Sequence, residues 1–348
     1  MTLSILDLDR AKLAEALAAH PKYRVDQLWD GLYVQFKSVQ EIKNLPAALR
    51  DEVSAQFPDA LSEAARAVSD DGNTIKFLWH LTDGGHPIET VLMYYAERAT
   101  VCVSTQAGCA MACGFCATGQ AGFTRHLTTG EIVEQVVRAA REAGRLGQRI
   151  DNIVFMGMGE PLANEDNVRA AVERIHGDIG ISARHLTVST VGIIPGIKKL
   201  AEWPLPVNLA VSLHAARNSL RDDLVPVNKR YPIEELMNAC RDYLTVKNRR
   251  ITFEWALIDG VNDTDRDAEE LADLSRSMHP AAHINLIPLN PTPGWPTKGS
   301  PKRKVYAFRD RLEELGANAT VRNNRGTEIA AACGQLAAGQ PVRISRKP

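Results

Sequence analysis

From residue 100 to residue 322 the chain alternates short apolar runs with amphipathic stretches, and that alternation limits the folds open to it. The runs at 100–104, 152–156, 185–189, 207–214, 251–257, 284–288 and 319–322 read as strands. Helical patterns lie between most of them, at about 128–145, 166–175, 232–244, 266–278 and 302–315. Thr128-Thr-Gly-Glu131 is a capping box that opens the first of these. Several strands are nearly all apolar, as parallel strands covered on both faces must be. Repeated strand–helix–strand units require right-handed crossovers and a parallel sheet. The fold class is therefore α/β, a barrel or an open arc of one, with its chemistry at the C-terminal ends of the strands. A chain of 348 residues holds one such domain and a small extra one.

At the end of the first strand stands Cys109-Ala-Met-Ala-Cys113-Gly-Phe-Cys116, half of the six cysteines within eight residues. Three thiolates on one loop can bind three irons of a four-iron cluster and leave the fourth open, whereas electron-transfer clusters take four cysteines. Structural zinc also wants four ligands; no second pair is near, and His126 is the only local His. The Cys-x3-Cys-x2-Cys spacing, with Phe115 before the last Cys, resembles the radical S-adenosylmethionine (SAM) enzymes. The resemblance implies a [4Fe-4S] cluster whose free iron chelates the amino and carboxylate groups of SAM, and a partial (β/α)6 barrel.

The other strand ends carry polar groups. Met156-Gly-Met-Gly-Glu160 offers Gly157 and Gly159 for close backbone approach and Glu160 as an acceptor for an amino group. Ser189, Ser212 with Leu213 and His214, and Asn290 end further strands. On the first strand, Cys102 and Ser104 share the face opposite Val101 and Val103, which turns Cys102 inward if the valines face the helices. Cys240 reads as a buried structural thiol.

Residues 1–75 read as a helical accessory domain that contacts RNA, with Trp29 and Tyr33 as core aromatics more readily than as part of the RNA-facing surface. Residues 76–94 read as a connecting hairpin turning at Asp83-Gly-Gly85 and carrying Glu89, and 95–348 as the barrel with its C-terminal cysteine segment. The formal net charge is −1, so nucleic-acid binding must come from local patches. Candidates are Arg24, Lys37, Lys229, Arg230, Arg249, Arg250, Lys302, Arg303, Lys304, Arg322 and Arg325. No apolar run is long enough to span a membrane, and Met1-Thr-Leu-Ser-Ile-Leu-Asp carries an acid where a secretory signal carries bases. A cytoplasmic monomer is expected.

Taken together, Cys102-Val-Ser-Thr-Gln-Ala-Gly-Cys109, Gly157-Met-Gly-Glu-Pro-Leu, Ser212-Leu-His, Ile284-Asn-Leu-Ile-Pro-Leu-Asn-Pro and Ala331-Ala-Cys-Gly-Gln-Leu resemble the RlmN-type dual-specificity RNA methyltransferases. The resemblance covers almost the whole chain. It implies methylation of C2 of adenosine in 23S rRNA and tRNA, two SAM molecules per turnover, and an electron donor such as flavodoxin or ferredoxin with its reductase. By position, Cys109, Cys113 and Cys116 bind the cluster, and Gly159, Glu160, Ser189, Ser212, Leu213, His214 and Asn290 contact SAM. Cys333 becomes methylated, Cys102 resolves the RNA–protein adduct by forming a disulfide with it, and Glu89 accepts the proton. Glu328 stands where the family more often has Asp; the acid is kept. Two alternatives stay open: the related C8-adenosine methyltransferases that confer antibiotic resistance, and a non-catalytic iron–sulfur RNA-binding redox sensor.

Overall fold

The computed structural model describes residues 3–247 and 249–339. The chain begins with helices α1 (Arg10–Ala16), α2 (Tyr23–Tyr33) and α3 (Ala47–Gln56). Three antiparallel strands follow, β1 (Leu61–Val68), β2 (Thr74–Leu81) and β3 (Ile88–Tyr94). Next come β4 (Ala99–Cys102), β5 (Gln106–Gly108), α4 (Ala117–Ala121), β6 (Phe123–His126), α5 (Thr129–Arg145), β7 (Ile150–Phe155) and α6 (Glu165–Gly177). The chain continues through β8 (Leu186–Thr190), α7 (Ile194–Glu202), β9 (Asn208–Ser212), α8 (Asn218–Leu224) and α9 (Ile233–Lys247). It ends with β10 (Thr252–Leu257), α10 (Asp265–Arg276), β11 (His283–Pro288), α11 (Lys302–Glu314) and β12 (Asn318–Val321).

One sheet runs β1-β2-β3-β4-β7-β8-β9-β10-β11-β12. From β4 to β12 every neighbouring pair is parallel, so all seven strands expected from the alternation are present in order. Helices of high apolar asymmetry cover the outside; on α5, Ile132, Val133, Val136 and Ala139 are fully buried. Thr128 caps α5 as expected, its hydroxyl accepting the Glu131 N–H while Glu131 reaches back to the Thr128 N–H.

Two expectations at the N-terminal end need correction. Leu61-Ser-Glu-Ala-Ala-Arg-Ala-Val68, inside the stretch read as helical, is an edge strand. Its Ala, Glu and Arg favour helix, but pairing to β2 and a bulge at Glu63/Ala65 override that preference. The hairpin at 76–94 is therefore part of the main sheet: β3 pairs with β4, placing Val91 opposite Cys102. The N-terminal helices also share one continuous apolar core with the barrel. Arg174 of α6 donates to the Leu6 and Leu8 carbonyls and to the Tyr33 hydroxyl, and Trp29 Nε1 donates to Asp178. Trp29 and Tyr33 are buried there, as the core reading expects. Residues 340–348 of the expected barrel segment lie outside the described residues.

Candidate active site

The cysteine loop hangs between β5 and β6, which pair with each other and close its base. The Cys109 N–H bonds the Gly122 carbonyl at 2.8 Å, and Cys116 opens α4. Gln120 ties the loop inward through the Gly114 carbonyl and Thr292. Cys109, Cys113 and Cys116 line one cavity at the C-terminal mouth of the barrel. Burial pushes the Cys109 thiol up to about 12 and Cys113 well above its ordinary value. Burial outweighs the attraction of Arg221 on Cys113, so these thiols stay protonated, and bound metal is what makes them thiolates. Among the described residues, no three Cys, His, Asp or Glu side chains gather as a site for one metal ion. A cluster spreads its thiolates over separate irons, so this donor set fits a [4Fe-4S] cluster better than a closed zinc site.

The strand ends supply the rest of that cavity wall. Gly159 adopts φ of 103°, and a Cβ there would lie 2.5 Å from Gln106 Cβ. A Cβ on Gly157 would lie 2.6 Å from the Val103 carbonyl oxygen. Both glycines let the end of β7 pack closely against the Val103–Gln106 backbone behind the cavity wall. Glu160 accepts the Val191 N–H through Oε2 and the Leu162 N–H through Oε1, and burial pushes its carboxyl up to about 7. Ser189 Oγ and Ser212 Oγ stand 3.5 Å apart on neighbouring strands. His214 sits at φ of 60°, and its Nδ1 accepts the Ala256 N–H at 3.0 Å. Burial holds the ring neutral, down to about 3, so its proton is on Nε2. Leu213 differs from its neighbours: its side chain is fully buried in the apolar core, and its carbonyl accepts from Arg221.

Cys333 reaches the same mouth on the segment after β12. Asn290 Nδ2 donates to the Cys333 carbonyl at 3.0 Å. The Ala117 N–H bonds the Gly334 carbonyl, and the Thr118 hydroxyl bonds the Leu336 carbonyl. Glu89 Oε2 accepts the N–H groups of Ala337 and Ala338 at 2.9 and 3.0 Å. Lys76 Nζ pairs with Glu89 Oε1 at 2.8 Å and also donates to the Ala330 carbonyl. In this arrangement Glu89 holds the cysteine segment. Cys102 and Cys333, both free thiols, line a second cavity that adjoins the first, so Cys102 does face inward. Burial, then the neighbouring Cys333, pushes the Cys102 thiol up to about 12.

Three residues of the site were not singled out for it from the sequence. Arg221, fully buried, ties the ends of β8 and β9 together by donating to the carbonyls of Val191, Ser212 and Leu213. Arg322, expected on an RNA-facing surface, instead lines both cavities beside Cys333. Lys76 was one unremarked base within a strand. Nothing in local spacing marks these three; each is recognisable only once distant strands are adjacent. Among the other candidate bases, Lys304 pairs with Asp259 and Asp263, Arg249 bonds Asn208, and Arg325 stacks on Tyr95. Lys229, Arg230, Arg250, Lys302 and Arg303 are exposed.

Residues 103–274 match the Radical SAM superfamily. A probable dual-specificity RNA methyltransferase RlmN of Parafrankia sp. is 48% identical over 359 residues, covering 98% of this chain and 92% of that protein. The protein of the same description from Mycobacterium tuberculosis (strain H37Rv) is 50% identical, covering 96% and 94%. This chain belongs to the RlmN family. The crystal structure of a radical SAM methyltransferase from Sphaerobacter thermophilus superposes with a TM-score of 0.93 at 48% identity, covering 97% of this chain and 99% of that one. The RlmN assignment makes the chain a radical SAM RNA methyltransferase with a [4Fe-4S] cluster and SAM as cofactors. Among the described residues no helix is long and apolar enough to cross a membrane.

Proposed function

We propose that the enzyme methylates C2 of adenosine in 23S rRNA and tRNA through a methyl group carried on Cys333. The observation that carries this reading is the convergence of Cys102 and Cys333, 231 positions apart in sequence (333 − 102), on a cavity adjoining the three-cysteine mouth. Direct methyl transfer is unsuited to C2, an electron-poor carbon that makes a poor nucleophile; a carbon radical can add to it.

Cys109, Cys113 and Cys116 would hold the cluster, which supplies the electron that splits SAM. Glu160, Ser189, Ser212, His214 and Asn290 offer the acceptors and donors at the rim that an amino acid and a nucleoside require. The Cys333 thiolate first takes the methyl group of one SAM, and S-adenosylhomocysteine leaves, a displacement suited to sulfur. One hydrogen atom of that methyl would pass to the 5′-deoxyadenosyl fragment of a second, cleaved SAM, giving 5′-deoxyadenosine, and the carbon radical left on the methyl bonds to C2 and links protein to RNA. Glu89, once free of the Ala337 and Ala338 N–H groups, takes the C2 proton after the ring gives up one electron, for which the cluster, oxidised when SAM was split, would be the acceptor. The Cys102 thiolate then attacks Cys333 sulfur. The S–C bond breaks as the S–S bond forms, and its electron pair stays on carbon, which gains a proton to become methyl. A reductant resets the disulfide, and a flavodoxin or ferredoxin with its reductase supplies the cluster's electrons. Exposed Lys229, Arg230, Arg250, Lys302 and Arg303 are the basic groups available to RNA phosphates, together with the N-terminal helices. The enzyme acts as a cytoplasmic monomer.

The test is methylation of RNA from a strain lacking C2 methylation, followed by nucleoside mass spectrometry and NMR of the product. 2-Methyladenosine at a single site is expected. 8-Methyladenosine would move the enzyme to the C8 type, and absence of both product and 5′-deoxyadenosine would leave only an RNA-binding redox protein.

A further inference from the structure

Arg322 follows β12, where its N–H bonds the Leu286 carbonyl at 2.8 Å. It is half-buried, and the surface it keeps faces cavities. It lines the cysteine-mouth cavity and the Cys102/Cys333 cavity, and with Met156, Gly157 and Cys333 it forms the boundary they share. The ionisable groups that act on it are Cys333, Glu254, Cys102 and Tyr95. Glu254 accepts from Asn285 through Oε2 at 2.7 Å and is attracted to Arg322 through space, without an ion-pair contact. Among the described residues Arg322 makes no ion pair, and its one side-chain hydrogen bond runs from Nη1 to Met156 Sδ at 4.0 Å. A guanidinium carries five N–H donors. Most of these are therefore unspent and stand beside Cys333. Leaving charged donors unpaired in a partly desolvated site is costly. By contrast Arg221, the other buried arginine of the mouth, spends its donors on carbonyls and on Asn228.

We infer that Arg322 binds the target adenine, donating to a ring nitrogen that flanks C2. This rests on the C2 reading above and names a residue that would hold the base for it. C2 lies between N1 and N3, and it must come within bonding distance of the Cys333 methyl. A donor that shares both cavities with Cys333 therefore meets N1 or N3. The contact also has an electronic consequence. The radical carbon next to sulfur is electron-rich. When it bonds to C2, one ring π bond opens, and the unpaired electron and added density spread onto N1 and N3. A cationic donor at either nitrogen stabilises that state more than the starting base, so it speeds addition as well as aiming it. Arg322 keeps its proton throughout, because a guanidinium is not deprotonated in a protein.

The experiment crosses Arg322 variants with RNA carrying adenosine, 1-deazaadenosine or 3-deazaadenosine at the target. Wild-type enzyme making 2-methyladenosine from adenosine upholds the C2 reading by itself; an 8-methyl product would sink that reading whatever Arg322 does. With that control in hand, Arg322→Met is expected to form S-methyl-Cys333 normally in peptide mass spectra without RNA. Its RNA methylation should fall about a hundredfold, the scale for loss of one charged donor at a developing charge. One deaza analogue should be penalised in wild-type enzyme and lose that extra penalty in Arg322→Met. Equal penalties in both proteins, or loss of Cys333 methylation in the variant, would overturn the inference, the second by assigning Arg322 to the thiol. Arg322→Lys, which keeps the charge, covers failure of the Met variant to fold and should recover part of the rate.

Discussion

The two sulfur groups of this enzyme are held in opposite ways. Cys109, Cys113 and Cys116 lie within eight residues on a loop whose base is closed by the β5–β6 ladder. Cys333 lies beyond the last strand, on a segment tied down by separate hydrogen bonds donated by Lys76, Ala117, Thr118 and Asn290, and by two that Glu89 accepts from Ala337 and Ala338. A ladder holds the base of the loop that carries the three thiols. Separate side-chain anchors suit a sulfur that must meet a methyl donor, a base and Cys102 in turn, because each anchor can be given up alone. The comparison teaches that position at the mouth is shared by the two groups while rigidity is not.

The sharpest way to break it is to remove a sulfur from each group. Cys113→Ala is expected to lose the iron of the reconstituted protein and all 5′-deoxyadenosine production, a loss of at least about a thousandfold. Cys240→Ala, at a fully buried thiol on α9 outside the mouth, should keep its iron and lose about 1 kcal/mol of stability. Cys333→Ala should retain the iron yet make no methylated RNA. Cys102→Ala should also stop net turnover, but by accumulating protein crosslinked to RNA, visible as a slower band on denaturing gels. Normal turnover by Cys102→Ala, with no crosslink, would remove it from the mechanism.

That contrast also explains what could be read before the fold was known. The cluster cysteines announce themselves by local spacing, and the seven parallel strands by apolar runs between helical stretches. Glu160, His214 and Asn290 were found because strand ends of such a barrel converge. Cys333 and Cys102 were legible only through the family resemblance, since nothing within ten residues of either points to the other. Arg221 and Arg322 were not legible as site residues at all: an arginine on a helix or after a strand reads as solvated surface until its neighbours from other strands are known. β1 was misread because its composition favours helix and its partner strand decides otherwise.

Glu89 and Lys76 sharpen the comparison at the next level, because two substitutions separate anchoring from proton transfer. Glu89→Gln keeps an oxygen to accept the Ala337 and Ala338 N–H groups but loses the base. Alkylation of Cys333 by a maleimide should be unchanged, while RNA release slows by about 10²–10⁴ and adduct builds up. Lys76→Met keeps the carboxylate but frees Ala330 and unpairs Glu89. Cys333 alkylation should rise several-fold, with methylation falling only about tenfold, the equivalent of about 1.4 kcal/mol. Identical behaviour of the two variants would mean that Glu89 serves only as an anchor.

The smallest effect expected is at the rigid side of the mouth, and its sign follows from burial. Desolvation pushes the Glu160 carboxyl up to about 7, against the Val191 and Leu162 N–H bonds that favour its charged form. If Glu160 accepts hydrogen bonds from the amino group of SAM, binding favours the carboxylate. Acid then weakens binding by protonating Glu160 first, and affinity climbs as pH rises through about 7 until the carboxylate is fully formed. For a single group the fall between about pH 8 and about pH 6 is about tenfold. Equilibrium dialysis of SAM against the reconstituted enzyme measures it. Glu160→Gln should bind SAM more weakly at high pH and show no slope, because the amide does not titrate. A slope that survives the substitution would place the titrating group elsewhere, and His214 is not that group, since burial keeps it neutral down to about 3.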